Sequence, residues 1–385
     1  MPTVFVPGPC CGSCGTTLNT LKSVKNHWTN VHRAPHPYAN NQGQRELRPI
    51  LDQWRALPQA LPAYAKGIEA LKLAYTKKLH QSTLPFISTS ITDSFSTKPN
   101  WDHVISDLIS DHNSGAAVIS SVDSLAVDDA YHYSVTKSLF YSLQHDFTEE
   151  QTKLFTAALD IRPGTALGLK SCKLLVDGRT SSYGVPAQGR NPDLSMAVTP
   201  AGHITEVHQD GIWDASILIH LLGEKIIFTW PPTPTNLNLA AKCHRSDKSW
   251  LLNAIQHLEE GKMTHLTPGC KIFLPQGELH AVLSLTPSAL AGYRVHHPSC
   301  LTDIPRLLRW DVETSLANHK DHELLNEIIN EHDDLLRLWL NQRDPSIERY
   351  EQDLIAINNL WERDLRGKIK TRLIDLSRPA KRARR

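Results

Sequence analysis

The chain lacks an excess of either charge. Its 41 lysines and arginines stand against 40 aspartates and glutamates, a formal net charge of +1 across 385 residues. No overall field therefore steers it to nucleic acid or membrane, and such binding would have to come from a local patch. It also lacks an apolar run long enough to cross a bilayer, so no membrane association is expected. The opening residues, Met1-Pro2-Thr3-Val4-Phe5-Val6-Pro7, have no charged start leading into a long apolar stretch and do not read as a signal peptide. No internal repeat is visible, which argues against a repeat architecture. A disulfide framework is poorly served too: seven cysteines is an odd number, and Cys10, Cys11 and Cys14 crowd the N-terminus. That usage fits a reducing compartment with metal-binding thiolates.

What is present is the composition of an ordinary globular protein, 40% hydrophobic and 21% charged, long enough for two or three domains. Residues 1–34 read as one unit. Cys11-Gly12-Ser13-Cys14 is followed after twelve residues by His27 and after four more by His32. Two thiolates on a tight knuckle and two imidazoles about one helical turn apart can close a tetrahedron around Zn(II). Leu18 and Val24 supply apolar residues where a small ββα finger needs them, and metal binding would be the folding energy of so small a unit. The competing reading is a Cys- and Gly-rich tail, with Cys10 as a rival ligand. Lys22 and Lys25 could touch phosphates, although a single finger reads only about three base pairs. Protein contact is equally open.

Residues 35–100 read as a linker and a helical segment. Ile50, Trp54, Leu57, Leu61 and Tyr64 recur at helical spacing between about Glu46 and Lys78, interrupted at Pro58 and Pro62. Residues 101–300 read as helices followed by many short strands. Helical periodicity is expected after Trp101 and from Ser134 to Leu159. Strands are expected at Cys172 to Val176, His203 to His208, Ser216 to Leu222, Lys225 to Trp230, Lys271 to Leu274 and His280 to Leu285, with a helical insert from Lys248 to Leu258. That order suggests a mixed α+β chain with a β-sandwich or barrel. Residues 301–376 are helical, with one apolar stripe through Leu325, Ile328, Ile329, Leu335, Leu336, Trp339 and Leu340 and another through Tyr350, Leu354, Ile357, Trp361 and Leu365. Residues 377–385 end in Lys381-Arg382-Ala383-Arg384-Arg385, either a nuclear-import or nucleic-acid tail or a solvated end.

The chemistry concentrates at His208-Gln209-Asp210 and at His280. Two histidines and one carboxylate are the ligand set of a non-haem Fe(II) site that keeps positions open for cosubstrate and dioxygen. His208 and Asp210 are i and i+2 at the end of an expected strand, so both side chains can leave one face. His280 opens another strand-like run, as a third ligand from a facing strand would. Lys225 begins Lys225-Ile226-Ile227-Phe228 after a Gly-Glu turn. Read separately, Lys225 is a solvent-facing strand residue, Thr205 reflects β-propensity, and His280 is a core histidine bonded to a backbone carbonyl.

His208-Gln209-Asp210, Gly223 to Phe228, Pro231 to Leu237 and Pro268 to Val282 together resemble the JmjC domain of Fe(II)- and 2-oxoglutarate-dependent oxygenases, the histone demethylase and hydroxylase branch in particular. The resemblance covers about a quarter of the chain at motif level. It implies a double-stranded β-helix (a jelly-roll, cupin-like barrel) with helical flanks. It further implies Fe(II) on His208, Asp210 and His280, and the far carboxylate of 2-oxoglutarate on Thr205 and Lys225. The activity implied is oxidative decarboxylation of the cosubstrate coupled to hydroxylation or demethylation of a protein substrate in the nucleus, a histone tail being the family's example. Departures lie after Asp210, where the chain reads Gly211-Ile212-Trp213-Asp214, and on the last strand, which reads Ala291-Gly292-Tyr293-Arg294. Arg294 could contact cosubstrate or pair with an acid. No aromatic cage for methyl-lysine is identifiable. Two alternatives stay open: a catalytically silent scaffold whose finger and tail bind nucleic acid or protein at chromatin, and a cupin-like metal protein acting on a small molecule. Cys243-His244 with His296-His297 and Cys300 could form a second zinc site, but read more simply as free thiols and surface histidines.

Overall fold

A computed structural model describes residues 47–61, 63–79, 99–106, 118–121, 156–161, 173–176, 179–182, 194–243, 250–295, 298–318, 322–341 and 350–377, together with residues 26, 30 and 31. The expected zinc ligands Cys11, Cys14, His27 and His32 lie outside these residues, as do His244, His296, His297 and the basic tail. The described residues form a mixed α+β structure of helices and antiparallel sheet. They group into two compact units: those of Val6–Gln209 and Ser216–Val295 in one, and those of Asp210–Ala215 and His296–Arg385 in the other.

The first unit opens with α1 (Leu47–Arg55) and α2 (Tyr64–Thr76), separated by a break at Pro58 as the helical spacing predicts. Ile50, Trp54, Leu57 and Leu61 are all buried. Gly67 on α2 makes their packing possible, because a Cβ there would fall within the Trp54 indole.

The strands are β1 (Val118–Ser121), β2 (Thr156–Ile161), β3 (Lys173–Val176), β4 (Arg179–Ser182), β5 (Leu194–Thr199), β6 (Ile204–His208), β7 (Ala215–Leu222), β8 (Lys225–Trp230), β9 (Lys262–Leu266), β10 (Lys271–Leu274), β11 (Leu279–Ser284) and β12 (Ser288–Val295). Between β8 and β9 come α3 (Pro234–Cys243) and α4 (Trp250–His257). A six-stranded sheet runs β1-β2-β5-β12-β7-β10, a four-stranded sheet runs β6-β11-β8-β9, and β3 and β4 form a separate pair. Ile227, Leu266 and Val282 from the smaller sheet pack with Leu218, Ile272 and Leu274 from the larger one, so the core lies between the two. Every residue of β8 is buried, which explains its unbroken Lys-Ile-Ile-Phe-Thr-Trp run: a strand covered on both faces does not alternate.

Tertiary pairing overrides local preference at two places. The helix expected to run on to Leu159 gives way to β2, because Ala158 and Ile161 pair with Val198 and Met196 of β5. The partners β5 and β12, rich in Ala, Ser and Gly, also lack a strand signal of their own and are held by each other from Thr199↔Ser288 to Leu194↔Tyr293.

The second unit is helical: α5 (Ile304–Asn318), α6 (His322–Asn341), α7 (Glu351–Leu360), a π-helical turn (Trp361–Leu365) and α8 (Arg366–Ser377). Most of both expected stripes is buried, with Leu325, Trp339, Ile357, Trp361 and Leu365 fully enclosed and Ile328, Leu335 and Tyr350 half-buried. Leu340, expected on the first stripe, is exposed instead.

Candidate metal and anion site

Strand β11 pairs with β6 on one side and β8 on the other, which makes it the spine of the site. His280 lies opposite His208 of β6 and opposite Thr229 of β8. Directly paired residues send their side chains to the same face of a sheet. The two imidazoles meet accordingly, with ring centroids 4.2 Å apart. The third ligand from a facing strand is thereby corrected: His280 comes from the neighbouring strand of the same sheet. Asp210 also differs from expectation. Strand β6 ends at His208, and Asp210 lies in the bend beyond it, so strand alternation is not what brings it in. The ligand atoms of His208, Asp210 and His280 nonetheless lie within 4.8 Å of one another, a group able to hold a metal ion.

Backbone carbonyls set the tautomer of both histidines. His208 Nδ1 lies 2.8 Å from the carbonyl oxygen of Glu206, and His280 Nδ1 lies 3.1 Å from that of Glu278. A carbonyl only accepts, so each Nδ1 carries the proton and each Nε2 presents its lone pair. That is the form an imidazole needs to ligate a metal through Nε2, with the second nitrogen fixing ring orientation. The donor set of two imidazole nitrogens and one carboxylate therefore fits Fe(II).

The same face of the four-stranded sheet continues to Lys225. Along β11 the residues His280, Val282 and Ser284 alternate onto one side, opposite Thr229, Ile227 and Lys225 of β8. Thr205 of β6 faces Val282, and an irregularity between positions 280 and 282 puts Thr205 and His208 on one face although they are three residues apart. Lys225 is not the solvent-facing residue that a Gly-Glu turn would suggest. It is 2% exposed, and its Nζ donates to Thr199 Oγ1 at 2.8 Å. Thr199 Oγ1 is in turn 2.8 Å from Ser284 Oγ. Thr199 belongs to the six-stranded sheet, so Lys225 points inward between the sheets.

Among the described residues no carboxylate pairs with Lys225. Burial alone brings its pKa down from 10.5 to about 7. His203 and His220 are buried nearby, and each is lowered to about 3, by burial first and by the Lys225 charge second. His220 Nε2 donates to the Gly223 carbonyl at 2.8 Å, which leaves Nδ1 as an acceptor, buried and without a partner among the described residues. Thr229 Oγ1 and Thr264 Oγ1 are likewise buried without a partner. Both lie on the inner face by their pairings with His280 and Ile227. A buried lysine and polar atoms that find no partner among the described residues make an environment suited to a polar anionic ligand.

All five expected site residues of the strand unit and its adjoining bend thus have defined places. His208, Asp210 and His280 converge; Thr205 and Lys225 share the face of the two histidines. Thr199, His203, His220, Thr229 and Ser284 escaped the sequence reading. Ser284 and Thr229 were accessible in principle, each four residues along a strand from His280 or Lys225 and so on the same side. Thr199 was not, because its strand carries no local signal. Of the second zinc candidate, Cys300 is buried. A scan against protein-family models finds no match, and a search of curated proteins finds none either.

Proposed function

We propose that the strand unit is a double-stranded β-helix that holds Fe(II) at His208, Asp210 and His280 and binds 2-oxoglutarate with its far carboxylate on Lys225. On this reading the protein is a JmjC-like dioxygenase that hydroxylates or demethylates a protein substrate, with a histone tail as the first candidate. The strand order supports the fold: β5-β12-β7-β10 and β6-β11-β8-β9 are two four-strand layers with the chain alternating between them. The observation that carries the chemistry is that one sheet face bears both a metal-ready histidine pair and a buried lysine without a carboxylate partner among the described residues.

Bound Fe(II) would supply dioxygen activation at the expense of the keto acid. The chain's own part is to fix geometry. His208 and His280 keep their Nε2 lone pairs aimed by the Glu206 and Glu278 carbonyls. Lys225 exchanges its Thr199 hydroxyl for a carboxylate, a charge-assisted bond that restores the ammonium form. Val282 and Ile227, between the two ends, line the path with apolar surface and exclude water. The nuclear location and the Zn(II)-dependent contact with nucleic acid or protein rest on the N-terminal spacing and the basic tail alone.

The test is anaerobic. Purified protein with Fe(II) and 2-oxoglutarate should develop the visible charge-transfer band of a chelated ferrous complex, and His208→Ala should abolish it. Absence of the band, or its survival in the variant, overturns the proposal. A band without succinate formation in air would assign the silent-scaffold alternative.

A further inference from the structure

We infer that His332, a residue of α6 far beyond Asp210 in sequence, is a positioning residue for that carboxylate ligand. The inference rests on the metal reading above. The segment Asp210–Ala215 belongs to the compact unit of the C-terminal helices. After Asp210 and Gly211 every residue of that segment is buried, with Ile212 and Trp213 among the core. Trp213 is the anchor. Its indole N–H donates to His332 Nδ1 at 2.9 Å. Because Nδ1 accepts, the proton of the imidazole sits on Nε2, which donates to Asp311 Oδ2 at 3.1 Å. His332 is 3% exposed and Trp213 is buried, so the bond between them is sheltered from competing water, while Asp311 is partly exposed.

The ring of His332 is fixed on a further side. Trp361 meets it edge-on, with centroids 5.0 Å apart. Trp361 opens the π-helical turn and is itself held by its indole N–H on Asp333 at 2.7 Å. Asp333 also accepts from Arg366 at 2.6 Å. Polar groups so placed in a helical core are costly unless every one is satisfied, and hydrophobic residues could fill the same volume. The return on that arrangement is directional: it fixes Trp213 in rotation as well as depth. Trp213 follows Asp210 by three residues, so anchoring the indole restricts where the backbone can carry the carboxylate. A metal ligand held on a bend, outside any ladder, needs such an external constraint.

The experiment reads affinity for the metal alone. Binding of Mn(II) to the full chain is followed by the electron paramagnetic resonance signal of the free ion, at a temperature where circular dichroism shows every variant folded. Trp213→Phe removes one N–H and keeps the aromatic anchor; His332→Phe removes both bonds of the relay. Leu354→Ala, which opens a cavity in the same helical core and removes none of the hydrogen bonds around His332, is the control. Trp213→Phe and His332→Phe should each weaken Mn(II) binding at least fivefold, whereas Leu354→Ala should lower the melting temperature and leave the affinity within twofold. Wild-type affinity in Trp213→Phe overturns the inference, as does equal weakening in Leu354→Ala. If the wild-type chain binds no Mn(II), or binds it undiminished in His208→Ala, the metal reading itself falls.

Discussion

Lys225 and Thr199 join the two sheets through a single hydrogen bond of 2.8 Å, and the ammonium end of that bond has no carboxylate partner among the described residues. Burying a lysine in this way is costly for the protein alone, and on the proposed function the cost is offset by an anionic ligand. Lys225→Met should therefore separate stability from binding. Hydrogen bonds to charged groups are worth about 1.5–3 kcal/mol, which corresponds to roughly a 10- to 150-fold loss of 2-oxoglutarate affinity. The melting temperature of the ligand-free protein should hold or rise. Calorimetric titration with and without 2-oxoglutarate checks both, and a large fall in stability with unchanged affinity would assign Lys225 to the fold instead.

The same burial sets a pH dependence. His203 and His220 are lowered to about 3, so between that value and 6.5 the unfolded chain binds protons that the folded chain refuses. Their contribution is intact above pH 6.5 and is lost as pH falls toward 3. Lys225 acts in the same sense at higher pH: stability of the ligand-free protein should rise from about pH 7 toward 10.5. His220→Gln can keep the bond to the Gly223 carbonyl while removing the titration. Its urea midpoint should therefore fall less steeply between pH 6.5 and 4 than that of wild type; an equally steep acid limb would refute the assignment.

Gly223 turns the chain from β7 into β8 at a φ of +77°, beside the Pro287 carbonyl and 2.7 Å from Ser288 Cβ if it carried a Cβ of its own. Its carbonyl also receives His220. Gly223→Ala should cost about 1–3 kcal/mol in urea unfolding, since strain from the left-handed backbone and the close approach add. It should also weaken 2-oxoglutarate binding, because Lys225 lies two residues on.

The sequence exposes the chemistry better than the frame that carries it. Lys225–Trp230 and Lys271–Leu274 stand out because bulky β-branched and aromatic residues fill a sheet interior. Leu194–Thr199 and Ser288–Val295 do not, since Ser195, Ala197, Ala289, Ala291 and Gly292 have little preference for a strand and owe their state to each other. Losing those strands hides Thr199, and with it the lysine's actual partner. His208 and His280 were legible as a pair, but their direct apposition is a matter of register, which depends on a ladder formed across seventy residues of chain. Asp210 differs in setting: it stands on the bend beyond β6, where strand alternation does not apply.

The most direct measurement is a crystal structure of the protein grown anaerobically with Mn(II) and 2-oxoglutarate, with anomalous scattering used to place the metal. One anomalous peak is expected, bonded by His208 Nε2, His280 Nε2 and the Asp210 carboxylate, with the keto acid chelating it and Lys225 Nζ turned from Thr199 onto the far carboxylate. A metal bound elsewhere, or a Lys225 still on Thr199 with the keto acid in another place, would contradict the proposed function.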